Sequence, residues 1–348
     1  MLGSLSLIAR IRSDSVSRKS IRYAIGMVIL FAISFSYNWP LSFLIIILGH
    51  SFLLGSRPTF KFAVEFVVKF AISLIFSIAL SHFFLEYDVL YIMLIGIILL
   101  YIFYADPSVL SPLLKMALIL LTLVVPFISL KSLSVGSMIG WAVVLAAFIS
   151  VFTAILMFIL IPDLESDSDQ GHHGHNSSDE ISEYERFKNA LKTFAIVYPI
   201  LVLFYYSNFQ GDIVMLVYIG IYSSTPNFSK DLSLGRVMII GCIAGGLLAF
   251  LIYEILVIIP LFSFFLLLIF GLTLALGHHI IKSGKYAEYI KKGFSAFIII
   301  LGTSLTSLGA DAGGKVFIRI IQISFVIIYL VLALRLIDSL FPRKLKKA

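Results

Sequence analysis

The chain contains 348 residues, of which 60% are hydrophobic and only 13% are charged, and its mean hydropathy is +1.06. This balance excludes an ordinary soluble domain, which is nearer half apolar and about a quarter charged. The formal net charge of +7 does not indicate a nucleic-acid partner, because the basic residues flank apolar runs in short segments. The motifs G-x-x-x-x-G-K-[ST], H-E-x-x-H and G-x-S-x-G are absent. We therefore expect neither an enzyme nor a bound cofactor.

Apolar runs of about 16–24 residues recur along the chain, the length that a helix needs to cross a hydrocarbon core of about 30 Å. The runs are continuously apolar rather than alternating, which predicts helices and not a barrel. The sequence thus predicts an all-α polytopic membrane protein with about twelve transmembrane helices. In chain order, these predicted spans cover 21–37, 40–55, 66–85, 88–104, 112–130, 136–161, 190–207, 211–225, 236–259, 261–281, 293–309 and 316–339.

Polar segments divide the chain into five parts. A basic tail, 1–20, precedes a first set of six spans, 21–162, and a second set, 188–340, precedes the basic tail 341–348. Between the two sets lies the acidic and His-rich segment 163–187, which is too polar to form a core and is predicted to be a linker.

The distribution of basic residues predicts the orientation. Most of the 26 Lys and Arg fall on the side of the two tails and the linker, whereas only Lys131 and Lys315 fall clearly on the other side. Because cytoplasmic loops carry the excess of Lys and Arg, we expect both termini to be cytoplasmic. The protein would then be a multi-pass protein of the bacterial cytoplasmic (inner) membrane, surrounded by the lipid bilayer.

Short motifs recur in the two sets of spans. The segments SRPTFKF and STPNFSK share the frame S-x-P-x-F, and SPLLKMALILL and EYIKKGFSAFIII each open a fifth span. With six spans per set, both sets enter from the same side, which predicts two parallel six-helix repeats. The residues that correspond between the repeats are Pro58 with Pro226, Phe60 with Phe228, and Lys115 with Lys292.

The charged stretch 51–70 has two interpretations. Comparison with the second repeat places the bilayer edge near Lys69, so that the segment from Pro58 to Lys69 would be an amphipathic helix at the cytoplasmic interface. Glu65 and Lys69 would then form a surface pair at i, i+4 spacing. Alternatively, they form a buried charge pair on a transport path, because a charge inside a bilayer is costly without a use.

Several polar residues are candidates for a functional site. Lys115 and Lys292, with Lys69, are candidates for binding an anion on its path, since paired cations attract a carboxylate. Glu65, Glu254 and His279 are candidates for proton coupling. We expect no metal site; the weak candidate is the linker cluster His172, His173 and His175, which has no fixed fold around it.

The segment IRYAIGMVILFAISFSYNWPLSFLIIILGHSFLLGSRPTFK resembles the opening of the fusaric acid resistance-like transporters. It is most similar to their compact branch, which lacks large cytoplasmic domains and is described only as a domain of unknown function. The resemblance is best over about 18–160 and rests on Arg22, Gly26, Trp39-Pro40, Arg57-Pro58 and Lys61.

The resemblance implies efflux of aromatic carboxylic acids or similar toxic compounds. Related aromatic acid exporters work with a periplasmic membrane-fusion adaptor and an outer-membrane channel, which would be the partners of this chain. A distant similarity to plant malate channels leaves a passive organic-anion channel as an alternative function. A non-transporting membrane scaffold is a third alternative. The substrate would be a small organic anion, and the sequence leaves the oligomeric state open, a homo-oligomer included.

Overall fold

The fold was obtained as a computed structural model that describes residues 15–37, 41–106, 110, 112–130, 132–163, 183–206, 213–223, 232–282, 284, 286–305 and 312–340. These residues form helices and connecting turns, with no strand among them. The prediction of an all-helical chain is therefore confirmed. The helices are α1 (Ser15–Tyr37), α2 (Phe43–Leu54), α3 (Phe60–Phe84), α4 (Asp88–Tyr104), α5 (Pro112–Ser129), α6 (Leu133–Leu160), α7 (Glu183–Tyr206), α8 (Ile213–Ser223), α9 (Leu232–Ile258), α10 (Phe262–Ile281), α11 (Ala287–Leu305) and α12 (Ala312–Leu340).

Six of these helices are long and apolar enough to cross a membrane: α1, α3, α6, α7, α10 and most of α9. Apolar side chains are also exposed on them, for example Ile72, Ile243 and Leu267, each more than half exposed. Such surfaces are expected where lipid replaces water as the solvent. The helices thus indicate a membrane protein.

Helix α3 begins earlier than the predicted span. Its N-cap is Thr59, whose Oγ1 accepts a hydrogen bond from the backbone N–H of Phe62 at 3.2 Å, which satisfies one of the free donors of the first turn. Pro58 precedes this cap and is buried, whereas Phe60 is 74% exposed. Lys61, Glu65 and Lys69 therefore belong to one continuous helix that runs from Phe60 to Phe84, whereas Arg57 precedes it.

The chain divides into two compact units. The first unit comprises Met1–Val67, Leu145–Asp179 and Ile240–Arg319, and the second comprises Val68–Val144, Glu180–Ile239 and Ile320–Ala348. Each unit therefore takes helices from both halves of the sequence. Helices α3, α6, α9 and α12 contribute a segment to each.

In the first unit, α1 packs on α2 and on α10, and α11 packs on α2 and α10. Phe31 of α1 and Phe265 of α10 meet edge to face, with ring centroids 5.9 Å apart, a favourable arrangement for aromatic rings. The hydroxyl of Ser150, on α6, donates to the carbonyl oxygen of Ile45 at 2.7 Å and so attaches α6 to α2.

In the second unit, α7 packs on α8 and on α4, and α5 packs on α8 and α4. The hydroxyl of Tyr205 donates to Asp88 at 2.9 Å between α7 and α4. Helices α1 and α2 are the first two of the first half of the sequence, and α10 and α11 are the fourth and fifth of the second half. The second unit has the converse combination, with the first two helices of the second half and the fourth and fifth of the first half.

Candidate functional site

The acidic candidates for proton coupling lie at exposed positions. Glu65 on α3 and Glu254 on α9 are both exposed, and so is His279 in the last turn of α10. Glu254 lies one turn before the end of its helix at Ile258. Lys69 is half-buried, on the same helix as Glu65.

Lys115 stabilises the end of a neighbouring helix in the second unit. It is half-buried, and its Nζ donates a hydrogen bond of 2.9 Å to the carbonyl oxygen of Phe103. Phe103 belongs to the last turn of α4, where carbonyl groups have no partner within the helix and the helix dipole favours a cation. The geometry gives Lys115 a structural role as a helix cap, whatever further role it has.

We expect Lys115→Met to lower the free energy of unfolding by about 1 kcal/mol, because it leaves this carbonyl without its charged donor. The measurement is an SDS-unfolding titration of the full-length protein in detergent micelles. Lys61→Met is the matched control: Lys61 is exposed in the first turn of α3, so its loss should change stability by less than about 0.5 kcal/mol. Equal effects of the two variants would contradict the capping role.

Lys292 borders an apolar groove in the first unit. The groove has a volume of about 170 Å³ and lies between α9, α10 and α11. Its walls are almost entirely apolar; the residues that line it are Ile240, Gly241, Ala244, Gly245, Leu248, Leu276, Tyr289, Ile290, Gly293 and Phe294. Lys292 precedes Gly293 and Phe294 on α11. The Cβ of Lys292 lies 3.1 Å from the position that a Cβ added to Gly241 would occupy.

The floor of the groove depends on glycines at the crossing of α9 and α11. A Cβ on Gly241 would lie 3.0 Å from the backbone nitrogen of Gly293, and one on Gly245 would overlap the carbonyl oxygen of Gly293. Small residues at such positions let two helix backbones approach closely. The pair Gly241-x-x-x-Gly245 therefore shapes the groove as well as the helix crossing.

Two buried polar side chains lie next to the groove, and the sequence did not indicate either of them as a site. The Oη of Tyr23 on α1 lies 2.6 Å from the Nδ1 of His50 on α2, and both side chains are almost fully buried. The ring of Phe294, which lines the groove, has its centroid 5.3 Å from that of His50. A histidine within an otherwise apolar predicted span was the one signal that could have identified the pair.

Arg22, which the resemblance marked, is buried in the first unit. Its Nη1 lies 2.7 Å from Oδ1 of Asp163 and also donates to the carbonyl oxygen of Ile161 at 3.2 Å. The guanidinium carbon lies 3.7 Å from the ring centroid of Phe158, a cation–π geometry. Arg22 thus fixes the end of α6 against α1.

The remaining sequence candidates lie outside the described residues. These are Pro226 and Phe228 of the repeat motif and the linker histidines His172, His173 and His175. Among the residues that the structure does describe, no group of three or more His, Cys, Asp or Glu could hold a metal ion.

No family model, curated protein or solved structure matches this chain. The structure itself defines the class: an all-helical protein whose helices fit a membrane, with an apolar groove bordered by a lysine in its first unit.

Proposed function

We propose that the protein is a proton-coupled secondary transporter that exports aromatic or other organic acids across the bacterial inner membrane. The observation that carries the proposal is the apolar groove beside Lys292. An organic acid has an apolar body and an anionic head, and the groove and the lysine offer one contact for each. Ligand sites commonly combine apolar walls with a few placed polar groups in this way.

The size of the groove supports an aromatic substrate. An apolar cavity of roughly 150 Å³ holds a benzene molecule, and the groove has a volume of about 170 Å³. Tyr289 and Phe294 line it and provide aromatic surfaces, against which a substrate ring can pack edge to face or offset. Lys292 would then meet the carboxylate at the end of the groove.

We further propose that the chain consists of two parallel six-helix repeats with twelve spans and cytoplasmic termini. The packing of the units supports the repeats, because corresponding helices of the two halves have corresponding neighbours. The excess of Lys and Arg on one predicted side supports the orientation. The resemblance of the opening segment to fusaric acid resistance-like transporters supports export, and with it a periplasmic membrane-fusion adaptor and an outer-membrane channel as partners.

The proposal predicts that Lys292 is needed to bind the acid. In proteoliposomes with an imposed proton gradient, the wild-type protein should move radiolabelled benzoate. Lys292→Met should raise the KM for benzoate by roughly ten- to a hundredfold, the expected cost of losing one charged hydrogen bond. Lys292→Arg, which keeps the charge, should retain most of the transport.

Lys282→Met is the matched control, because Lys282 is an exposed lysine at the end of α10 and does not line the groove. Its KM should stay within about twofold of wild type. Unchanged transport by Lys292→Met would overturn the role of the groove. Wild-type benzoate flux that is only downhill and ignores collapse of the proton gradient would instead identify a passive channel.

A further inference from the structure

The buried pair of Tyr23 and His50 is enclosed by helices of the first unit. Tyr23 is 0% exposed and His50 2% exposed. Phe294 of α11 contacts both rings, with its centroid 5.3 Å from that of His50 and 6.4 Å from that of Tyr23. Gly277 of α10 lies against Tyr23, where a Cβ would come within 2.5 Å of the ring. Four helices therefore surround the pair.

One nitrogen of the histidine is left over. Nδ1 bonds to Tyr23, whereas Nε2 is buried and has no hydrogen-bond partner among the residues that the structure describes. Buried polar atoms are normally paired, and an ionisable side chain within a membrane segment marks a functional site by default. Phe294 packs against the two rings but offers no hydrogen-bond partner to Nε2 of His50.

The tautomer follows from counting donors. If the Tyr23 hydroxyl donates to Nδ1, the neutral ring carries its hydrogen on Nε2, and one donor is left unpaired. If Nδ1–H donates to Tyr23 instead, the hydroxyl hydrogen and the Nε2 lone pair both lack partners. The first arrangement satisfies more groups and is the ground state of the neutral pair. A proton can then add only at Nδ1, and the hydroxyl must turn to accept from Nδ1–H.

The charges around the pair determine when the proton can bind. Those that act on the His50 ring are Lys291 and Lys292, in the first turns of α11, and both are positive. On α10, His278 follows Gly277 and is half-buried, and on α1, Arg22 is paired with Asp163. A positive charge on this buried ring, added beside two lysines, needs an anion nearby.

We propose that His50 binds the proton that the transporter carries together with the organic anion, with Tyr23 as the group that positions the ring. The inference rests on the proposed function and names the coupling residue of the same site. An anion in the groove is separated from His50 by the ring of Phe294. Across a distance on the order of 10 Å, and at an effective dielectric constant of about 20, its charge strengthens proton binding on the order of tenfold. Anion and proton binding thus promote each other, as reciprocal linkage requires.

The test is the titration of His50 in the full-length protein in nanodiscs. The protein is labelled with ¹⁵N-histidine, and the His50 ring signals are assigned by their loss in His50→Gln. Saturating benzoate should raise the midpoint of His50 protonation by about one pH unit. A His50 ring that stays neutral at every pH with benzoate present, or titrates identically without it, overturns the proposal.

Transport separates this proposal from the proposed function. His50→Gln should still move benzoate down its gradient, but its transport should lose its dependence on the imposed proton gradient. Tyr23→Phe should retain coupling while shifting the titration of His50. If His50→Gln does not fold, the wild-type titration decides, with the His50 signals assigned by elimination through Gln variants of the other six histidines. Proton-driven benzoate transport by a folded His50→Gln overturns only the role of His50, whereas a wild type that neither binds nor moves benzoate overturns both.

Discussion

Asp163→Asn is expected to lower the free energy of unfolding by about 3 kcal/mol, because it leaves the buried guanidinium of Arg22 without its counter-ion. Arg22 is only 3% exposed, so water cannot replace the lost partner. Asp163 itself is about one-third exposed, so Arg22→Met leaves a carboxylate that water can reach and should cost less. The measurement is an SDS-unfolding titration in micelles for the two single variants and the double variant.

The double variant should be more stable than Asp163→Asn alone, because it removes the buried charge together with its partner. The second unit contains a matched control in the ion pair of Arg186 with Asp106. Arg186 is 24% exposed, so Asp106→Asn should cost only about 1 kcal/mol or less. Equal losses for Asp163→Asn and Asp106→Asn would contradict the prediction that burial determines the effect.

Gly245→Ala is expected to destabilise the protein by about 2 kcal/mol and to abolish benzoate binding, because the new methyl group overlaps the carbonyl oxygen of Gly293. That oxygen belongs to the backbone of α11, so the two helices must move apart. The same Cβ would lie 2.9 Å from the backbone nitrogen of Phe297, which prevents a small sideways adjustment. Unfolding titrations and equilibrium binding of radiolabelled benzoate measure the two effects.

Gly271→Ala is the control for this prediction. Gly271 lies on α10, and no atom is within 4 Å of the place of its Cβ. Alanine there should leave stability unchanged or raise it by up to about 1 kcal/mol, since alanine is the better helix former. If Gly245→Ala behaves like Gly271→Ala, the close approach of α9 and α11 is not required for the groove.

The helices could be predicted from the sequence because each is a local property of an apolar run. Helix α4 occupies the predicted residues, and α5 ends one residue before the predicted boundary. The apolar span predicted from residue 66 begins inside α3, because hydropathy marks where apolar residues begin and not where a helix does. The amphipathic helix predicted from Pro58 by comparison of the repeats lies closer to the observed start at Phe60. Thr59 caps that helix seven residues before the predicted span, and the charged residues Lys61 and Glu65 lie within the helix.

The candidate site was only partly predictable. Lys292 was found because it recurs at the start of a fifth span, but its groove depends on how closely α9 and α11 approach. The pair of Tyr23 and His50 was missed because it joins two helices at a point that only packing decides. Arg22 was read as a basic residue of the opening segment, and nothing in its local sequence indicated that Asp163 binds it.

The packing of the first unit has a consequence for the synthesis of the protein. Helix α1 ends at Tyr37, but α10, on which it packs, begins only at Phe262. During translation, the first helices must therefore remain in the membrane without these neighbours until most of the chain has been made. Contacts between such distant segments form late, so neither half of the sequence has its complete set of helix neighbours on its own. A chain that ends early in the second half would have α1 and α2 packed on each other but without α10 and α11.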